Sequence, residues 1–459
     1  MRAAWLLALA ACSGTAMAPS KPAPWPETYT AEAGDIVIAH ATVVTPDREL
    51  ADHAVVVRGS QIVWVAPSAT IIAPLTVRVI DATGHWLMPG LIDMHVHLGG
   101  ERELGLYIAA GVTTVRNMFG DPKLLELRQR VGRGEVLGPT IVSAGPIVDG
   151  DPPAWPGSAI LTDPAAADRL VVLQQAAGYD FLKVYSRLGK PAYEAVIAAA
   201  AVHNFPVAGH VPDAVGLQGV LASHQRSIEH LDGYQLAMVR DGGTVPKDPR
   251  RHMQDVIAQV DYRKLPGLIQ QTLAAGTWNC PTLVAADRYA SLGDPEALKR
   301  RVAWIGTARP EDVRSWNADG WPPGVIAAAG EEYAGALRVL AALAAAHAPL
   351  LLGTDTGNPF VIPGASAHEE IERMVRAGIP RSRVIQIATS EAARFFGTPT
   401  EFGVVAPGAR ADLLLLSVDP NQQPLPDVPD GVMLHGQWHG RDELEGLVAK
   451  ISAANQAPR

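Results

Sequence analysis

The chain has 459 residues, 48% of them apolar and 19% charged, with a formal net charge of −9 and only two cysteines. That length and apolar share can bury a large core and a smaller second domain, and they exclude a disordered or fibrous chain. The acidic balance lacks the basic stripe that a phosphate backbone needs, so the expected partner is a small molecule or short peptide and not nucleic acid.

Residues 1–18 read as an export signal: Met1-Arg2, an apolar run from Ala3 to Ala11, then Cys12-Ser13-Gly14. The run is too short to span a bilayer. Leu9-Ala10-Ala11-Cys12 resembles a bacterial lipobox, which predicts lipidation of Cys12 and membrane anchoring. Cleavage after Ala18, in Thr15-Ala16-Met17-Ala18, is the alternative. Either way the chain is expected outside the cytoplasm of a bacterium, in the periplasm or as an outer-membrane lipoprotein. With Cys12 lipidated, Cys280 has no disulfide partner, and inside Trp278-Asn279-Cys280-Pro281 it reads as a small buried hydrophobe.

Residues 19–89 alternate β-branched pieces with turn residues (IVIAHATVV, AVVVRGSQIVWVA, VRVIDATG), and ADLLLLS and GVMLHGQW repeat that texture within 399–459. The two ends are therefore predicted to build one composite β-sandwich. Between them, residues 90–398 carry eight short apolar strands, beginning at Gly90, Gly111, Pro139, Tyr179, Pro206, Arg226, Trp278 and Ala348. Helical segments such as Pro164 to Ala177, Pro191 to Ala201, Lys264 to Ala275 and Glu331 to Ala346 separate most of them. Eight βα repeats predict an α/β fold, a (β/α)8 TIM barrel. Two stretches, Asp241 to Arg263 and Asp287 to about Gly330 with its Trp321-Pro322-Pro323, exceed an ordinary βα loop and are candidate walls of a substrate pocket.

His95 and His97 stand at i and i+2 in the first barrel strand, so both imidazoles point to one side, as metal ligation from a strand requires. Lys183, His210, His230 and Asp355 fall at the ends of strands four, five, six and eight, where TIM-barrel chemistry resides. The other ten histidines lie in the terminal β segments (His40, His53, His85, His435, His439) or in helices and loops (His203, His224, His252, His347, His368) and read as solvated or hydrogen-bonded. Ser186 and Ser227 have no His-Asp partner in a nucleophile elbow and read as ordinary strand-end serines.

The ordered set PGLIDMHVHL, FLKVYS, AGHVP, SIEHLDGY and LLGTDTG is similar to the amidohydrolase superfamily, and most like its imidazolonepropionase-related, Xaa-Pro dipeptidase-like peptidase branch. The resemblance covers nearly all of the chain after the signal. It implies two divalent metal ions, zinc by the donor chemistry. His95, His97 and Asp355 would hold one, His210 and His230 the other, with Lys183 bridging them. Lysine can bridge only as a carbamate, formed when its neutral amine captures carbon dioxide, and desolvation in the barrel favours that amine. A metal-bridging hydroxide is then the expected nucleophile, with Asp355 moving its proton to the leaving amine.

The resemblance further implies an amide or peptide bond in a dipeptide or N-acyl amino acid, near a free carboxylate. Relatives carry Gly-Gly-His after the third strand where this chain reads Val148-Asp149-Gly150-Asp151-Pro152-Pro153-Ala154-Trp155, a departure from proline-dipeptide specificity. Tyr185 and Tyr234 are candidate hydrogen-bond donors to substrate, or packed barrel-top tyrosines; Arg116 is a candidate carboxylate clamp, or half of a structural ion pair. A hydrolase of a cyclic amide or lactone on the same site, and an inactive binding protein of the same fold, are the competing readings; a homo-oligomer is compatible with all of them.

Overall fold

The computed structural model describes residues 28–319 and 323–456. The export signal, with Cys12 and Ala18, and the Trp321-Pro322 pair lie outside the described residues. Among those described, no helix is long and apolar enough to cross a membrane.

Two runs of parallel strands form the barrel. Leu91–Val96, Val112–Asn117 and Thr140–Ser143 make one arc, and Leu182–Val184, Val207–Gly209, Ser227–Glu229 and Trp278–Cys280 the other. A bridge between Ala144 and Phe181 joins them, with the Gly145 N–H donating to the Phe181 carbonyl at 3.2 Å. The eighth member, residues 349–356, is irregular yet closes the ring. Leu351 donates to Asn279 (2.9 Å) on one side, while Met94 donates to Leu352 (2.8 Å) and Asp355 to His95 (2.7 Å) on the other. Its irregularity has local causes: Pro349 lacks an N–H, and a side chain at Gly353 would sit 2.4 Å from Cys280 Sγ.

The outer helices follow ordinary rules, as Leu265–Ala275 illustrates. Pro266 occupies its first turn, Leu265, Leu268, Ile269 and Thr272 form the buried stripe, and Gly276 ends it at φ 66°. Each buried leucine or isoleucine there contributes about 1.5–3 kcal/mol of transfer free energy.

Both chain ends meet in one sheet. Its strand order is Gln437–Gly440, Gly431–Leu434, Leu413–Leu416, Trp86–Pro89, Ile36–Val44, Glu49–Arg58, Gln61–Pro67, so the two ends join where Leu413–Leu416 runs antiparallel to Trp86–Pro89. Alternation sends Ile38, Val43, Val55 and Val57 to one buried face and Val37, Ala54, Val56 and Trp64 to the other. A two-stranded layer, Tyr29–Thr30 with Ile71–Ile72, lies beside the second face, where Tyr29 stacks on Trp64 at 5.0 Å. The β texture ends at Gly440. Arg441–Gln456 is a helix that packs on the barrel helix Leu104–Ala109, placing Leu447 and Ile451 over Gly105.

The two long stretches are helical where loops were expected. The first holds Met253–Ile257; the second is spanned by Leu283–Ser291, Pro295–Arg301, Pro310–Ser315 and the start of Pro323–Ala345. Their start signals are clear in retrospect: Asp294 accepts from the Ala297 N–H at 2.9 Å, and Pro295, Pro310 and Pro323 open their helices.

Candidate metal centre

The six residues singled out at the strand ends converge. His95 Nε2 and His97 Nε2 each lie 3.3 Å from Asp355 Oδ1, and the His230 ring stands 4.7 Å from both the His95 and His210 rings. Ligand atoms of His95, His230 and Asp355 all fall within 4.8 Å of one another. Four residues at three of the strand ends take the left-handed region: His230 and Leu231 at φ 62° and 53°, Thr282 at 47° and Asp355 at 61°. Such conformations are uncommon for non-glycine residues and collect at functional sites.

Three of the four imidazoles have one nitrogen fixed by a neighbour. His95 Nδ1 is 2.9 Å from Glu229 Oε2, His210 Nδ1 3.1 Å from Asp232 Oδ2, and His230 Nδ1 2.7 Å from Thr282 Oγ1. A carboxylate can only accept from a ring N–H, so His95 and His210 present bare Nε2 lone pairs. Both Nε2 atoms are buried without a hydrogen-bond partner. Burial pushes His97 and His210 down to about 4, and His230 well below the usual histidine range, so these imidazoles are neutral near pH 7. Burial alone would raise the Asp355 carboxyl, but the adjoining His95 and His230 rings hold it well below the ordinary carboxylate range. Neutral imidazoles with unpartnered nitrogens around an ionised carboxylate are the donor set of a zinc-like divalent ion.

Lys183 is buried beside this group, its Nζ 5.5 Å from the Tyr185 ring centre. It makes no ion pair with a carboxylate among the described residues. Burial lowers its pKa to about 8, within reach of the neutral amine that carbamate formation needs.

Two of the three substrate-binding candidates are corrected. Arg116 is fully buried inside the barrel, with Nε donating to the Met94 carbonyl (2.6 Å), Nη1 to Ser227 (3.0 Å) and Nη2 to both Glu229 oxygens (2.8 and 2.9 Å). Its donors are engaged beneath the site, where it anchors the carboxylate that orients His95. Tyr234 is also buried, its hydroxyl spent on Thr272 (2.8 Å) and Asn279 (3.2 Å). A strand-end position gives a residue's neighbourhood but not its depth. Tyr185 alone of the three lines the cavity, its ring 4.0 Å from that of His210.

Several supporting residues went unread. Glu229 and Asp232 flank His230, and period-two alternation puts Glu229 on the same side as Ser227, a signal that was available. Asp93, two residues before His95, accepts from Thr354 N–H (3.0 Å) and Oγ1 (2.7 Å). Arg250 donates to Asp232 at 2.8 Å from the first long stretch, where no motif marks it. Ser227 donates to Glu229 at 2.6 Å, and Cys280, its thiol pushed well up by burial, lies with His95 and Glu229 in a second group whose ligand atoms are within 4.8 Å of one another.

Above the cluster opens a cavity of about 490 Å³. Lys183, His210, His230 and Asp355 line its floor, while Arg250, Met253, Tyr289 and the helix Pro323–Ala345 supply walls and roof. Both long stretches thus face the site. Trp155, from the loop that replaces Gly-Gly-His, stands at the wall and donates to the Tyr185 hydroxyl at 2.7 Å.

The profile of the amidohydrolase family matches residues 86–439. The imidazolonepropionase of Psychrobacter cryohalolentis is 38% identical over 71 residues, a local match to 14% of this chain and 17% of that relative. The imidazolonepropionase of Anaeromyxobacter dehalogenans is 25% identical over 417 residues, covering 83% of this chain and 89% of its own. Among solved structures, a bottromycin amidohydrolase superposes with a TM-score of 0.71 at 25% identity, over 94% of this chain and 91% of that one.

Proposed function

The chain belongs to the amidohydrolase family and is a metal-dependent hydrolase of carbon–nitrogen bonds, and from that premise we propose that it cleaves the amide or peptide bond of a dipeptide or N-acyl amino acid with two bound zinc ions. The observation that carries this reading is that His97, Lys183, His210, His230 and Asp355 line the floor of one cavity, with the buried His95 set directly against Asp355 and His230 beneath them. His95, His97 and Asp355 would hold one ion, His210 and His230 the other, and a carboxylated Lys183 would bridge them. When bound, the ions would activate water as a nucleophile near neutral pH and supply Lewis acidity to the scissile carbonyl.

The chain's own groups divide the remaining work. Asp355, ionised and facing the cavity, takes a proton at its carboxylate and returns it to the leaving amine. Glu229, backed by Arg116, and Asp232, backed by Arg250, hold His95 and His210 in one tautomer. Burial pushes the Tyr185 phenol up to about 12, so it stays protonated. Because indole N–H can only donate, Tyr185 is the acceptor in its bond to Trp155 and keeps its own proton for a substrate oxygen. Export through residues 1–18 with lipidation at Cys12 belongs to the same proposal; mass spectrometry of the mature N-terminus tests it, and an unmodified terminus after Ala18 rejects lipidation.

Metal-reconstituted protein assayed on dipeptides, N-acyl amino acids, cyclic amides and lactones is the deciding experiment. Turnover of the first two classes is expected. Turnover of lactones or cyclic amides alone would move the substrate assignment to those classes, and one ion per chain at saturation would reject the two-ion site.

A further inference from the structure

One wall of the cavity carries a group that neither metal ligation nor proton transfer requires. Trp155 lines the cavity and is 48% exposed. Among the described residues it is the large apolar side chain that is both exposed and on the cavity wall. Apolar side chains scattered singly over a surface mean little, but one set in a substrate cavity is covered when that cavity fills.

The chain holds this indole firmly. The loop that carries it starts from Val148–Asp149 and returns at Ala159–Ile160, two short strands paired in parallel. Between them the buried Asp149 accepts from the Ala154 N–H at one carboxylate oxygen and from the Arg187 N–H at the other, both at 2.8 Å. Arg187 Nη1 donates to the Pro152 and Pro153 carbonyls (3.1 and 3.2 Å), and Ser158 Oγ to the Trp155 carbonyl (2.8 Å). Gly150 passes so close to the neighbouring chain that a Cβ there would lie 2.1 Å from the Arg187 carbonyl oxygen. The indole N–H is itself fixed on Tyr185, whose ring packs against His210. A ring tied at its backbone and at its polar edge has little conformational entropy left to lose when a ligand meets it.

With that edge engaged, what Trp155 offers the cavity is π surface. Two more rings join it from separate elements. Tyr185 follows the fourth barrel strand, and Phe119, which also lines the cavity, follows the second and reaches the Trp155 loop at Gly157, where a Cβ would stand 3.6 Å from its Cζ. Aromatic rings gain from offset or edge-to-face contact with another ring beyond the area they bury, which an aliphatic group of the same size does not.

We propose that one arm of the substrate ends in an aromatic ring, as in a phenylalanyl, tyrosyl or tryptophanyl residue, and that Trp155 is the specificity-determining residue that receives it. This rests on the hydrolase reading above and narrows its substrate class.

The test pairs phenylalanine-bearing dipeptides with cyclohexylalanine twins, which match them in carbon count and lack the π system, the residue placed on either side of the scissile bond. Burial alone favours the more apolar cyclohexyl twin, so a preference for phenyl reports ring contact. On one side phenylalanine should be preferred by about threefold or more in kcat/KM, chiefly through KM. Trp155→Leu should bring that ratio to one or below, whereas Trp155→Phe, which loses the bond to Tyr185 and keeps a ring, should retain the preference. A second arm titrates 3-phenylpropanol and 3-cyclohexylpropanol, neither of which has a cleavable bond, onto the purified full chain by ligand-observed NMR. Tighter binding of the phenyl alcohol is expected, and its loss in Trp155→Leu. That arm stands even if no dipeptide is hydrolysed, the outcome that would sink the hydrolase reading instead. A ratio near one in the unmodified protein overturns the assignment, as does an unchanged ratio in Trp155→Leu or equal binding of the two alcohols. Equal loss of preference in Trp155→Phe and Trp155→Leu overturns it too, because the bond to Tyr185 and not the ring would then set the choice. Should Trp155→Leu fail to fold, Trp155→Met replaces it with the same expected and overturning results.

Discussion

The floor and the roof of the cavity are built on different principles. On the floor, His95, His210 and His230 each have a side-chain partner for one nitrogen, and the partners of His95 and His210 are themselves held by arginines. On the roof, the helix Pro323–Ala345 offers an apolar stripe that defines a shape and holds few directed bonds. Positioning by polar contact fixes atoms to tenths of an ångström, whereas an apolar wall fixes only what fits. Changes to the floor should therefore be read in metal content and kcat, and changes to the walls in KM.

The largest effects break the floor outright. His230→Ala or His95→Ala should lower metal content by about one ion per chain or more and abolish measurable turnover; metal analysis beside the assay checks it, and full occupancy in either variant would remove that residue from the ligand set. Lys183→Ala should lose metal and activity together, with both returning when a short carboxylic acid replaces the carbamate. Asp355→Asn comes next. Asparagine keeps an oxygen but cannot accept a proton near neutral pH, so kcat should fall about 100-fold or more while much of the metal stays. A near-native kcat would strike Asp355 from proton transfer.

Glu229→Gln sharpens the contrast without touching a ligand. Losing the charge behind His95 should weaken metal affinity about 10- to 100-fold, measured by competition with a chelator, and leave substrate KM in the fully loaded protein little changed. The smallest effect belongs to the wall. Trp155→Phe keeps the aromatic surface but removes the bond to Tyr185, a neutral contact of about 1 kcal/mol, so KM should shift less than about tenfold with kcat retained. If Trp155→Phe lowers metal content, the separation of floor from walls fails.

That same division explains what the sequence disclosed. The six floor residues were legible because ligation demands particular residue types at strand ends, and strand order is written in the βα repeat. The second layer was half legible: Glu229 could have been read from alternation, but Arg250 and Thr282 join the site only through the folded path of the chain. Arg116 and Tyr234 were misplaced because sequence position separates inner from outer faces and not the level along the barrel axis. The long stretches hid short helices whose periods are too brief to register, and although Glu331 to Ala346 read as helical, nothing in its sequence marked it as the roof of a cavity. The two terminal β segments were readable from texture, while Arg441–Gln456 was not distinguished from the β residues before it.

Asp93 ties the first member of the barrel ring to the last. Its carboxylate bonds Thr354 across a separation of 261 residues, at the seam where the first and last members of the ring meet and where His95 faces Asp355. Closing so long a loop is entropically late in folding, and contacts of that sequence separation slow it. An ion spanning the seam binds the closed ring and not the open chain, so metal occupancy acts as a clasp whose release precedes the parting of the two ends. Metal-loaded protein should therefore unfold more slowly than metal-free protein, and the lifetime of the fold would be set by how tightly that clasp is held.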